Sequence, residues 1–382
     1  MSERRVVVTG VGMITPLGHS LDATLDALAA GASAVRPATL FDASGFRCRN
    51  AAEVRDWDPR PAFRAPKALK LTDRAARFAV AAAQAALADA GWPADPAGDD
   101  QLGVAIGSSG SDLQARDLGR ALANDATALD TRDIATFADR IMGGLNPLWL
   151  LISLPNMISA HVGIQLGARG PNTTVMTDWV AGSQAIGEAS EWIRCGEADA
   201  VLAGGADSGV QPFAYTAFQQ AGWFDDGDGD RGFVPGEGAA MLLLEERMAA
   251  LRRGARCRAE ITAYATRPPQ QMQRLECPLA QTLCDAMASA GWRRQDVTSC
   301  HVAAPPILAF SAAAGSALHL LLAGVPAREA FDARLGHPLA AAGPIDAAMM
   351  LRSSPRGARV LASAIGSSGE AVTLALQVGT ET

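Results

Sequence analysis

Lysine is almost missing from this 382-residue sequence: Lys67 and Lys70 are the two exceptions among 33 basic residues. That bias toward Arg reads as coding preference before it reads as phosphate recognition. No basic run interleaved with aromatics occurs, and the net charge is −7, which argues against a nucleic-acid partner. Long apolar runs are missing too. No segment reaches the ~18 consecutive apolar residues of a membrane span, and the nearest, "NPLWLLISLPNMISAHVG", is split by Pro147 and Pro155. The start, "MSERRVVVTGVGMITPLG", is broken by glycine too soon for a signal peptide. Cys48, Cys195, Cys257, Cys277, Cys284 and Cys300 form neither a CxxC pair nor a regular framework, as expected of reduced thiols. These absences predict a soluble, cytoplasmic protein.

Hydrophobic residues make up 49% of the chain, enough for large buried cores. Apolar runs such as "RVVVTGVG", "LGVAIGSS", "TTVMT", "AVLAGGA" and "AAMLLLEE" alternate with Ala-rich segments of helical period. That alternation predicts an α/β fold whose sheets are covered on both faces. The two halves echo each other: "ALADAGWPADPAGDDQLGVAIGSSG" and "AMASAGWRRQDVTSCHVAAP" both run from a helix through Ala-Gly-Trp into a buried strand. A duplicated α/β unit is therefore expected, with the seam near residue 250, giving halves of 1–250 and 251–382.

Several motifs fail on inspection. "VTGVGMITPLG" follows a strand, but Gly10, Gly12 and Gly18 do not meet GxGxxG. Gly227, Gly229 and Gly232 do meet it, yet the surrounding Asp225, Asp226, Asp228 and Asp230 would repel phosphate. Asp226, Asp228, Asp230 and Glu237 sit at EF-hand positions one, three, five and twelve, but Arg231 occupies the sharp-turn position that needs glycine. An acidic surface loop is the better reading, and neither metal nor cofactor is expected. Cys195 falls near a helix C-terminus, which disfavours a thiolate. Cys300 and His301 alternate on a strand and face opposite sides. No GxSxG elbow exists.

One turn remains. In "TTVMTDWVAGSQAIGEASEWIRC" a strand leads through Thr177-Asp178-Trp179-Val180 into a long helix, whose unpaired N–H groups and positive dipole end suit a thiolate or an oxyanion. The sequence places Trp179 there, and an indole neither ionises usefully nor attacks a thioester.

These stretches, with "LPNMISAHVGIQLGARGPN", "FDDGDGDRGFVPGEGAAMLLLEE" and "LGHPLAAAGPIDAAMM", resemble in order the β-ketoacyl-acyl carrier protein synthases of the thiolase-like fold. The resemblance implies an α-β-α-β-α layering. Active members carry Cys in a Thr-Ala-Cys-x-x-Gly pattern, and counting back from Gly182 puts Trp179 at that cysteine. The first catalytic histidine aligns with Ala303 in "HVAAP", leaving His301 two residues away. The second survives as His337 in "GHPLAAAG", the lysine five residues before it is Asp332, and the gating loop is "GSSG" with Ser367 in place of phenylalanine.

Condensation needs a thiolate and two histidines, so the resemblance implies an inactive subunit of the chain-length-factor kind from a type II polyketide or polyene system. Such a subunit forms a heterodimer with an active ketosynthase and caps the acyl tunnel for chains carried by an acyl carrier protein. Pairing across the pseudo-twofold axis would use "TTVMT", including Val175 and Thr177. Gly110, Asp112 and Leu113 correspond to the tunnel end. The alternative is a residual malonyl-carrier decarboxylase or acyltransferase relying on His337.

Overall fold

The computed structural model describes residues 4–93, 100–110, 139, 142–143, 145, 147–224, 232–269 and 276–379. Its strands fall into two groups of five. In the first, β1 (Val6–Ile14), β4 (Leu102–Gly107), β5 (Asn172–Val175), β6 (Ala200–Ser208) and β7 (Glu237–Glu246) lie in the order β5-β4-β6-β7-β1. β4 runs parallel to β5 and β6, while β7 is antiparallel to β6 and β1. In the second, β8 (Ala259–Arg267), β9 (Ser299–Ala303), β10 (Ala327–Arg328), β11 (Arg359–Ile365) and β12 (Ala371–Val378) lie in the order β10-β9-β11-β12-β8 with the same succession of parallel and antiparallel pairings. The internal echo in the sequence is thus a duplicated topology. A short hairpin of β2 (Val35–Pro37) and β3 (Asn50–Ala52) stands apart.

The two groups join edge to edge where Val6–Val8 meet Ala259–Ile261, giving one continuous ten-stranded sheet. The sequence pattern alone does not show this continuity. Helices α1 (Leu21–Ala29), α2 (Arg74–Asp89), α3 (Trp149–Ser153), α4 (Met157–Leu166), α5 (Ala181–Cys195), α6 (Pro212–Ala221), α7 (Arg247–Arg252), α8 (Glu276–Ser289), α9 (Leu308–Leu322) and α10 (Ala342–Ser353) complete the described elements. α5 and α10 are buried between the two strand groups, in a core shared by Val201, Leu242, Ile186, Ile345, Val360 and Leu374. α2 and α4 cover the outer face of the first group and α8 and α9 that of the second. The five layers implied by the resemblance are the observed ones.

Local chemistry explains why α2 sits where it does. Asp73 caps it by accepting from the Ala76 N–H at 2.7 Å, and its alanine face lets the helix backbone approach β1. A Cβ added at Gly12 would lie 1.9 Å from the Ala82 carbonyl oxygen, and one at Gly10 would lie 2.1 Å from that of Ala86. The "TGVG" glycines therefore serve helix-on-strand packing. Glu237, the last position of the rejected calcium pattern, is fully buried and accepts both guanidinium hydrogen bonds of Arg74 at 2.6 Å plus the Val54 N–H at 2.7 Å. Its aspartate companions at 226, 228 and 230 lie outside the described residues.

Candidate functional site

The ends of α5 and α10 that begin beside each other in the central layer define the candidate site. A 3-10 turn, Asp178–Val180, follows β5 and feeds α5. The expected strand "TTVMT" is cut short at Val175, because Thr177 leaves the extended region and Asp178 adopts a left-handed φ of 55°. Thr177 is exposed and its hydroxyl hydrogen-bonds Gln184 Oε1 at 2.7 Å. It is therefore a turn residue, while Val175 ends the strand and packs into the central core. α5 is held close by Gly182, where a Cβ would meet the Ala340 carbonyl oxygen at 2.3 Å and Pro344 Cγ at 2.6 Å. That contact joins the Trp179 turn to the segment following His337.

Trp179 is 4% exposed. Its ring lies 5.0 Å from that of Trp223, 5.7 Å from Phe233, 6.5 Å from Phe218 and 5.1 Å from His337. Three of these contacts are edge-to-face, the arrangement aromatic quadrupoles favour. Where the resemblance places an attacking sulfur, an aromatic cluster fills the volume. His337 is brought to this place as expected, and Phe233 and Phe331 pack on its other sides. Its backbone is fixed in both directions: its N–H donates to Val234 O at 2.8 Å and its carbonyl accepts from the Gly236 N–H at 2.9 Å.

The chemistry left to His337 is narrow. Burial drives its pKa down to about 3, so the ring stays neutral. The Leu339 N–H donates to Nδ1 at 3.3 Å, which assigns the proton to Nε2, and Nε2 has no hydrogen-bond partner among the described residues. No carboxylate among those residues hydrogen-bonds this imidazole to stabilise a positive charge. Ala303 is buried at the end of β9 in the central core and offers no titrating group. His301, on the same strand, is displaced into a separate cluster beside Arg328, and burial pushes its pKa down to about 4. Cys300 is fully buried, and burial raises its thiol to about 12. Cys195 is exposed at the far end of α5. Asp332, where the resemblance implies a lysine, pairs with Arg334 at 2.7 Å. Its hydrogen bonds from Arg334 outweigh burial and keep its pKa below the usual range.

Two carboxylates that sequence reading missed frame the site. Asp207 is fully buried at the end of β6 and accepts from the Ser109 N–H (2.8 Å), the Ser109 hydroxyl (2.6 Å), the Ser208 N–H (3.1 Å) and the Ala340 N–H (3.3 Å). Burial still raises its pKa to about 6. It ties the loop bearing Gly110 to the His337 segment. Gly110 follows Ser108, whose hydroxyl donates to the Gly110 carbonyl at 2.9 Å, and a Cβ added at Gly110 meets nothing within 4 Å among the described residues. Asp112 and Leu113 lie outside the described residues. No local pattern marks Asp207 in "AGGAD", since its partners come from two distant loops.

The second is Glu370. The "GSSG" loop is anchored because the Ser367 N–H donates to Asp178 Oδ2 at 2.6 Å. Glu370 sits behind it, 9% exposed and close to Asp178. Burial, with the adjacent Asp178 adding to it, raises its pKa to about 7. A carboxyl raised from 4.5 in the unfolded chain to about 7 favours the folded state below pH 4.5. That contribution fades as pH climbs through the interval to 7, where Glu370 ionises beside Asp178. Glu370→Gln is therefore expected to raise Tm by a few degrees at pH 8 and to change it little at pH 4. Calorimetric scans at both values check this, and an equal effect at both would refute it.

Comparison with known proteins adds to this geometry. Residues 3–250 match the family described as beta-ketoacyl synthase, N-terminal domain. The chain is 36% identical over 277 residues to 3-oxoacyl-[acyl-carrier-protein] synthase 2 of Synechocystis sp.. It is 37% identical over 276 residues to granaticin polyketide putative beta-ketoacyl synthase 1 of Streptomyces violaceoruber. Each match spans 69% of this chain and 63% of the relative, so the chain covers less than two thirds of their length. Among solved structures, the ishigamide ketosynthase/chain length factor superposes with a TM-score of 0.81 at 26% identity, covering 99% of this chain and all of that one. No described helix is long and apolar enough to cross a membrane.

Proposed function

Because this chain belongs to the β-ketoacyl synthase family and yet holds an indole at the head of the helix where a cysteine is expected, we propose that it is the non-catalytic, chain-length-factor partner of an active ketosynthase. Within the heterodimer it caps the acyl tunnel of its partner, and the growing polyketide or polyene chain arrives on an acyl carrier protein. The observation that carries the reading is Trp179, 4% exposed and packed on His337 at 5.1 Å: the volume in which a thioester and a malonyl group would react is occupied by side chains.

Support for a partner comes from β5. It is the outer strand of its group, so one row of its N–H and C=O groups has no strand beside it among the described residues, and such an edge invites pairing with another chain. Beside it Ile164, on the neighbouring α4, and Met176, just past the strand, are exposed, Ile164 at 66%, an apolar fringe of the kind that interfaces cover. Gly110, pinned near the site through Asp207, is the residue at which we place the tunnel end.

Co-expression with a cysteine-bearing ketosynthase tests the proposal. Size-exclusion chromatography with light scattering should return a 1:1 complex, whereas the chain alone should self-associate. A soluble monomer that ignores every candidate ketosynthase would sink it. The decarboxylase alternative needs His337 to face substrate. A neutral, buried imidazole under Trp179 speaks against that.

A further inference from the structure

The proposed function makes no use of a cavity at the opposite end of the central layer. α10 starts beside the His337 segment and runs 12 residues, about 18 Å, so its last turn lies far from Trp179. There a cavity of about 560 Å3 is lined by Arg256, Arg258, Arg352 and Arg356, together with Ser354 and Asp22. We propose that this cavity binds a small multivalent phosphate, with a diphosphate group bridging Arg256 and Arg356.

Four arginines and one aspartate line the cavity in a chain of net charge −7. Left without a ligand, such a group of like charges repels itself. Two of the four have acidic partners: Arg258 pairs with Asp89, and Arg352 reaches Asp22 at 2.9 Å through side chains that are 56% and 72% exposed. Screening by water leaves the latter pair weak. Arg256 and Arg356 have no ion pair among the described residues.

The frame that presents them is fixed. The Gly379 N–H donates to Arg258 O at 2.6 Å, the Gly357 N–H to Val378 O at 2.8 Å, and the Val378 N–H to Ala358 O at 2.8 Å. These bonds lock the starts of β8 and β11 to the end of β12. Gly379 also packs against the stem of Arg356, whose Cγ lies 2.6 Å from where a Cβ would be. Planar forks on a rigid frame match phosphoryl oxygens two at a time, and the Ser354 hydroxyl adds a neutral donor. The volume suits a ligand of nucleotide size.

Titration calorimetry on the full-length chain, alone or in its complex, decides the matter and does not depend on how the chain pairs. Sodium pyrophosphate should bind at least ~10-fold tighter than inorganic phosphate, because the second phosphoryl group reaches the second unpaired arginine. Arg256→Ala/Arg356→Ala should weaken pyrophosphate at least ~10-fold, and Arg293→Ala/Arg294→Ala, an exposed pair elsewhere, should leave it within about twofold. Both are surface changes that spare the core. ADP binding tighter than pyrophosphate assigns a nucleotide, and ADP binding no tighter assigns the diphosphate alone. Pyrophosphate that fails to bind at millimolar concentration, or that is weakened equally by the distant pair, overturns the proposal.

Discussion

Trp179→Ala is expected to destabilise the protein by about 3–5 kcal/mol, the cost of truncating a large aromatic in a closed core. The estimate rests on surroundings that cannot collapse into the gap. Phe218, Trp223, Phe233 and His337 pack around the indole, and each is held from another element: Phe218 by α6, the Phe233 N–H by Trp223 O at 2.9 Å, and His337 by backbone bonds to Val234 and Gly236. The hydrophobic transfer loss is thus joined by a residual cavity. Urea unfolding should show a lower midpoint with an unchanged slope. A loss below ~1 kcal/mol would mean that the ring is not the plug the packing describes.

The other large effect concerns rate. With malonyl carried on an acyl carrier protein, the isolated chain should form condensation product at least ~10³-fold more slowly than its complex with a cysteine-bearing ketosynthase, since removing the nucleophile of an interdependent set removes most of its catalysis. Trp179→Cys in this chain should not restore it. The new sulfur would face a histidine that burial keeps neutral, and Ala303 would still supply no second imidazole. Product analysis by mass spectrometry on four samples gives the answer: chain, complex, Trp179→Cys chain, and complex with the partner's cysteine removed. Turnover by the isolated chain that His337→Ala abolishes would replace this reading with the decarboxylase one.

Some of this is legible in the residues alone. Gly182 carries the count by which the resemblance puts Trp179 at the nucleophile position, and the packing gives that glycine a reason, since a Cβ there would collide with Ala340 and Pro344. The glycines of "TGVG" were equally visible, but their purpose was not: spacing excluded a dinucleotide loop without indicating that α2 needed the room. "TTVMT" reads as a five-residue strand by composition, and the left-handed Asp178 shortens it.

The amino-acid order by itself determined the alternation of strand and helix, the duplicated halves and the placing of an indole at position 179 ahead of α5, because these depend on side-chain period and on the identity of single residues along one stretch. Only the tertiary structure decided that the indole is packed instead of swung out, that burial disfavours a charged His337 with no carboxylate bonded to it among the described residues, and that Asp207 and Glu370 lie against the site. It alone gathered four arginines at the far end of α10. Burial and charge act through space over a few ångströms, and the groups concerned are separated by scores to hundreds of residues along the chain.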